Sequence, residues 1–137
     1  MSFRLKICAC AIALVSASGC VYYPTAINAE TFETIVEGRY DPSKQALLAD
    51  CMFDGWDTVM NYAAFSQARL VKRASGYRLD AISLTNKLLT ADLRDDGVIT
   101  IARMKARSMS TTLGPEIAAA MTCLNRYDVT YKQVGTP

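Results

Sequence analysis

Histidine is absent from all 137 residues. With it go the commonest general base, the usual serine and cysteine triads and most zinc sites. The chain also lacks a Gly-rich phosphate loop, a Gly-x-Ser-x-Gly turn and a His-Glu-x-x-His helix, so nothing points to the chemistries those motifs carry. No internal repeat or low-complexity block breaks the chain. Its apolar run at the start, Ile7 to Val15, is shorter than the ~20 residues that a helix needs to cross a bilayer. Carboxylates are the only catalytic groups left. Asp54 and Asp57 stand three apart in a helical stretch and could form an acid and base pair, although a solvated helix face explains them as well. Asp92, Asp95 and Asp96 surround a turn, and Asp is a turn former first.

What the sequence does have begins at the N-terminus. Arg4 and Lys6 precede the apolar run, and small residues follow it. Positive, then apolar, then small is the order of a secretory signal peptide. The small residues end in Ala17-Ser18-Gly19-Cys20, which resembles the lipobox of bacterial lipoproteins. The resemblance covers residues 1–21 and extends to no named functional family. It implies removal of residues 1–19 and acylation of Cys20. Ala17 departs from the Leu more often found there. Several acyl chains anchor firmly, since each buried CH₂ contributes ~0.8 kcal/mol. Val21 follows in place of the Asp that retains enteric-type lipoproteins at the inner membrane. The expected location is therefore the outer membrane, on its periplasmic face, with the inner membrane or secretion as alternatives.

Cleavage would also remove Cys8 and Cys10. If Cys20 carries lipid, Cys51 and Cys123 remain in an oxidising compartment, and we expect them to pair. Two thiols without histidine make a poor metal site, so no cofactor is expected. Losing Arg4 and Lys6 lowers the basic count from 15 to 13, equal to the 13 acids. A neutral mature chain gives no electrostatic case for nucleic acid as a partner.

The neutrality hides a polarised distribution. Residues 21–60 carry 7 acidic and 2 basic side chains, whereas residues 61–107 carry 9 basic and 4 acidic. Arg69, Lys72, Arg73 and Arg78 form one group and Arg103, Lys105 and Arg107 another. Were both at one end of a sheet, they would make a basic patch for an acidic partner.

The pattern predicts an α+β fold of two layers. Residues 20–41 read as a tether, with a short helix near Phe32, Ile35 and Val36 ending at Gly38. The globular domain spans 42–127. Asp41-Pro42 starts its main helix, over 42–61, with Leu48, Cys51, Met52, Gly55 and Val59 at helical spacing and Trp56 beside them as a core residue. Residues 62–75 fit either a helical extension or a connection. A three-stranded antiparallel meander follows, from Tyr77–Leu84 through a hairpin over Lys87–Lys105. A three-residue loop, Asp95-Asp96-Gly97, pairs Leu93 with Ile99 and Ala91 with Ile101, keeping one side apolar. A second helix begins at Gly114-Pro115 and presents Ile117, Ala120, Met121 and Leu124, with Cys123 at the edge. A Cys51–Cys123 bridge would join the helices. Residues 128–137 read as a flexible tail, in which Val129-Thr130-Tyr131 could add an edge strand.

These readings favour a non-catalytic, lipid-anchored envelope protein that binds another envelope protein, as an assembly accessory, inhibitor or immunity factor. The alternatives are a small carboxylate-dependent cell-wall hydrolase and a phage- or plasmid-encoded exclusion lipoprotein.

Overall fold

A computed structural model describes residues 31–60, 66–84, 86–105 and 113–134. In chain order these form β1 (Phe32–Arg39), a 3-10 turn (Pro42–Lys44), α1 (Gln45–Met60), β2 (Ser66–Arg73), β3 (Gly76–Ser83), β4 (Asn86–Arg94), β5 (Val98–Met104), α2 (Gly114–Arg126) and β6 (Thr130–Gln133). All strands join one six-stranded sheet in the order β2-β3-β4-β5-β1-β6. Every pairing is antiparallel. The expected meander of three strands is therefore corrected. Its strands occupy the middle of a sheet twice as wide, extended by β2 on one side and by β1 and β6 on the other.

Each addition has a physical reason. Phe32, Ile35 and Val36 are buried at the spacing that suggested a helical face. In the sheet this spacing comes from a bulge. Thr34 lies opposite Ala102 and Val36 opposite Ile101, so Ile35 is an extra residue. An inserted residue shifts the parity of a strand and imitates a helical repeat. The β-branched run Thr34-Ile35-Val36 suits the pleat better than a helix. Residues 66–73 are rich in helix formers, and pairing with β3 along the whole strand overrides that preference. β6 pairs with β1 from Val36 to Arg39, inside the stretch expected as tail.

The hairpin between β4 and β5 has the expected register, with Leu93 opposite Ile99, Asp92 opposite Thr100 and Ala91 opposite Ile101. Gly97 has φ +78, and a Cβ there would meet the Tyr40 carbonyl at 2.5 Å. Glycine is thus needed both for the left-handed backbone and for the close approach. Tyr40 donates its N–H to the Gly97 carbonyl at 2.8 Å and its hydroxyl to the Arg94 carbonyl. Burial raises the pKa of that hydroxyl above its ordinary value.

Asp41 caps the first turn, accepting the Ser43 N–H at 2.9 Å, with Pro42 in the first position. α1 then buries Leu48, Ala49, Met52, Trp56 and Met60. Leu47, next to them in sequence, is exposed. Full burial of an aliphatic side chain of this size contributes about 1.5–3 kcal/mol. α1 lies against β2, β3 and β4, with α2 beside it. Where the helices meet, a Cβ on Gly55 would stand 3.2 Å from the Ala119 Cβ. Gly55 costs α1 some helix propensity and lets α2 come close. Trp56 is wholly buried and donates its indole N–H to the Glu116 carbonyl at 2.9 Å. That bond satisfies the ring's only donor and ties α1 to the first turn of α2.

The disulfide joins Cys51 and Cys123 across this contact, with Cα atoms 5.9 Å apart. Cys123 is buried with Ala120 and Leu124, further inside than the edge position expected from its spacing, while Ile117 and Met121 are half-buried. The closed loop of 72 residues would stabilise the fold by about 4 kcal/mol on the chain-entropy account.

Candidate interaction surface

The two helices share one core with Leu79, Ala81, Leu89, Ala91, Leu93, Ile99, Ile101 and Val36. Because side chains alternate along strands, the intervening residues face away from the helices. They form rows across the sheet. One row runs Val71, Arg78, Asp92, Thr100, Glu37 and Lys132 from β2 to β6. The Arg78 guanidinium binds both oxygens of Asp92, at 2.6 Å each, and Lys132 pairs with Glu37 at 3.1 Å. The neighbouring row runs Arg69, Asp80, Thr90, Ala102 and Thr34.

Asp80 is the centre of this face. It is fully buried. Its Oδ1 accepts the Thr90 hydroxyl at 2.9 Å and lies 3.0 Å from Lys87 Nζ. Its Oδ2 lies 3.6 Å from an Arg69 nitrogen and, among the described residues, has no hydrogen bond. A buried charge is costly unless it is paired, and Asp80 has two cationic neighbours. A bulge in β4 between the partners of Ala81 and Ile82 brings Lys87 opposite Ile82, on the Asp80 side. Sequence reading passed over this cluster. Lys87 looked like the polar start of a hairpin, and nothing in a linear pattern signals that a bulge will turn it inward.

The expected basic residues do not gather at one end. Arg73 ends β2 beside Gly76, which lies opposite Arg94. Arg103 lies opposite Leu89, near the far end of β4. It pairs with Glu33 at 2.5 Å, an ion pair between the acidic and basic parts of the chain. Lys105 is exposed just beyond β5 and donates its N–H to the Thr31 carbonyl. Arg107 falls outside the described residues. Arg78 is buried against Asp92. The cations that remain together are Arg69, Lys72 and Arg73, all exposed on β2. Lys72 Nζ stands 5.9 Å from the centre of the Tyr77 ring.

β2 is an edge strand of eight residues, SQARLVKR, with three cations and no acid. Its last residue borders a shallow groove of about 200 Å³ lined by Arg73, Ser75, Tyr77, Arg78, Asp92 and Arg94. Arg94 pairs across the adjoining turn with Asp96. The turns at this end are locked together. Asp95 donates its N–H to the Ser75 carbonyl at 3.0 Å, and Gln45 donates to Asp95 Oδ1 and the Leu93 carbonyl. β2 therefore carries three exposed cations, and the groove beside its end holds Arg78 and Arg94 in ion pairs with Asp92 and Asp96.

The acids of α1 lie elsewhere. Asp50 and Asp54 are exposed, and Asp57 is half-buried. Neither Asp54 nor Asp57 lines the groove. Among the described residues no three His, Cys, Asp or Glu side chains are placed to share a metal ion, and no helix is long and apolar enough to cross a membrane. Cys20 falls outside the described residues.

Compared with protein-family models, with curated proteins and with solved structures, the chain has no significant match in any of the three.

Proposed function

We propose that this chain is a bacterial lipoprotein, anchored through Cys20 to the periplasmic face of the outer membrane, and that it binds another envelope protein as a non-catalytic accessory factor. The observation that carries the reading is the signal ending in Ala17-Ser18-Gly19-Cys20, taken together with the Cys51–Cys123 bridge. With Cys51 and Cys123 joined, Cys20 is the cysteine left for lipid once the leader is removed. The bridge itself suits an oxidising compartment. Residues 21–31 between anchor and β1 reach at most about 36–40 Å when extended, so the domain would work close to the membrane. The cationic margin along β2 supplies a surface for an acidic partner.

Intact mass of the membrane-fraction protein, with and without reductant, tests the anchor. The expected mass is residues 20–137 plus acyl groups, with thiol labelling after reduction at Cys51 and Cys123. A mass without lipid would overturn the anchored reading. Partner binding is tested by light crosslinking and co-purification from detergent-solubilised membranes. Lys72→Glu with Arg73→Glu should weaken capture, and unchanged capture would reject the β2 margin as the binding surface.

A further inference from the structure

We propose that the outer edge of β2 receives an extended acidic segment of a partner protein as a seventh strand. This rests on the protein-binding reading above and specifies how the partner is held.

Among the described residues nothing pairs with the outer side of β2, the end strand of the sheet. An edge strand presents a row of backbone N–H and C=O groups, a template for another strand. β2 is long enough to use it, with eight residues against four in β6 at the opposite edge. It is also regular, because all eight residues pair with β3 from Ser66–Ser83 to Arg73–Gly76 without a bulge. Leu70 and Val71 are only half-buried and would lose further water contact beneath an added strand.

Charge selects the occupant. β2 contains Arg69, Lys72 and Arg73 and no acid. A second copy pairing edge to edge would bring two such sets together, and like charges directly opposite destabilise a strand pair. A strand with carboxylates opposite these residues would instead be attracted. The pleat then specifies a pattern. Arg69, Val71 and Arg73 lie on the side away from α1 and α2, and Ala68, Leu70 and Lys72 on the side of these helices. A fitting antiparallel strand carries acids opposite Arg73, Lys72 and Arg69, with apolar residues opposite Val71 and Leu70, and so reads Glu-Glu-Val-Val-Glu. Arg69 also touches Asp80, which keeps its guanidinium near the ladder.

The test uses the lipidated chain in detergent with its disulfide intact. The probes are two labelled peptides, Thr-Val-Glu-Glu-Val-Val-Glu-Thr and the same sequence with Lys for each Glu. We expect the acidic peptide to bind at least about tenfold more tightly, with an affinity that falls as salt rises. Hydrogen exchange should slow in residues 66–73 and stay unchanged in residues 130–133. Lys72→Glu with Arg73→Glu should abolish the preference. Arg69→Gln, chosen because Arg69→Glu would set a carboxylate beside Asp80, should reduce binding severalfold, whereas Lys132→Glu on β6 should leave it intact. Equal binding of the two peptides, protection elsewhere, or self-association of the chain in place of peptide binding would each overturn strand addition. If a crosslinked partner still co-purifies when the peptides fail at β2, the accessory reading stands and only this mode of holding falls.

Discussion

On the helix side, one row across the sheet reads Leu70, Leu79, Ala91, Ile101 and Val36. On the other side the neighbouring row reads Val71, Arg78, Asp92, Thr100, Glu37 and Lys132. Two faces of the same strands are held by different physics. The first is held by water exclusion beneath α1 and α2, and gains from every buried methylene. The second also buries Phe32, Ile82 and Ala102, but it holds a fully buried Asp80 and a buried Arg78 among them, and so depends as well on each charge keeping its partner. The apolar face therefore loses stability in proportion to what is removed, whereas the charged face fails when one partner leaves the other stranded.

The largest expected effect comes from the apolar side. Trp56→Ala should lower unfolding free energy by about 3–5 kcal/mol, since it empties the core and leaves the Glu116 carbonyl without its indole donor. A loss below about 1 kcal/mol in urea denaturation would show that α1 contributes little. Next is Asp80→Ala, expected to cost about 3 kcal/mol by stranding Lys87. Adding Lys87→Met should restore part of that loss, and a double variant worse than Asp80→Ala alone would break the contrast between the faces. Thr90→Val keeps the shape and removes one donor to Asp80, with an expected loss of about 1–2 kcal/mol.

The smallest effect sharpens the contrast through pH. The pKa of Asp41 is lowered by the Ser43 backbone N–H and hydroxyl. A carboxylate with a depressed folded-state pKa stabilises the fold above its unfolded value, about 3.9, and that contribution is lost as pH falls through the folded value. The denaturation midpoints of the wild type and Asp41→Asn should therefore differ at pH 6 and converge at low pH. A constant gap across that range would show that the charge of Asp41 adds nothing to the cap.

The parts of the fold legible in the sequence are those where local chemistry and burial agree. Asp41-Pro42 marks the start of the main helix because capping and ring geometry act within a few residues. The Asp95-Asp96-Gly97 loop sets its register because a slip would scramble both faces of the hairpin. The Cys51–Cys123 pairing was legible from counting. β1 was not, since the bulge at Ile35 produces the spacing of a helix. β2 was not, since an exposed edge strand has neither alternation nor strong propensity. The candidate surface was half legible. Arg69, Lys72 and Arg73 are together because they share β2, while Arg103 and Lys105 were separated from them by strand direction, which composition does not encode.

The chain order of the sheet has a consequence for how the protein reaches this state. β2 to β5 are consecutive hairpins that can close early through short loops. The pairing of β1 with β5 must wait for a chain closure of about sixty residues or more, from Arg39 opposite Val98 out to Phe32 opposite Met104, and β6 docks on β1. Distant pairings are slow because loop entropy is lost before contacts compensate for it. The Cys51–Cys123 link encloses the whole β2–β5 meander. Once oxidised, it tethers the two crossover helices and shortens the search that remains for β1 and β6. A chain kept reduced should therefore assemble its two late strands more slowly than its four early ones, and the timing of thiol oxidation becomes a control on when the sheet is complete.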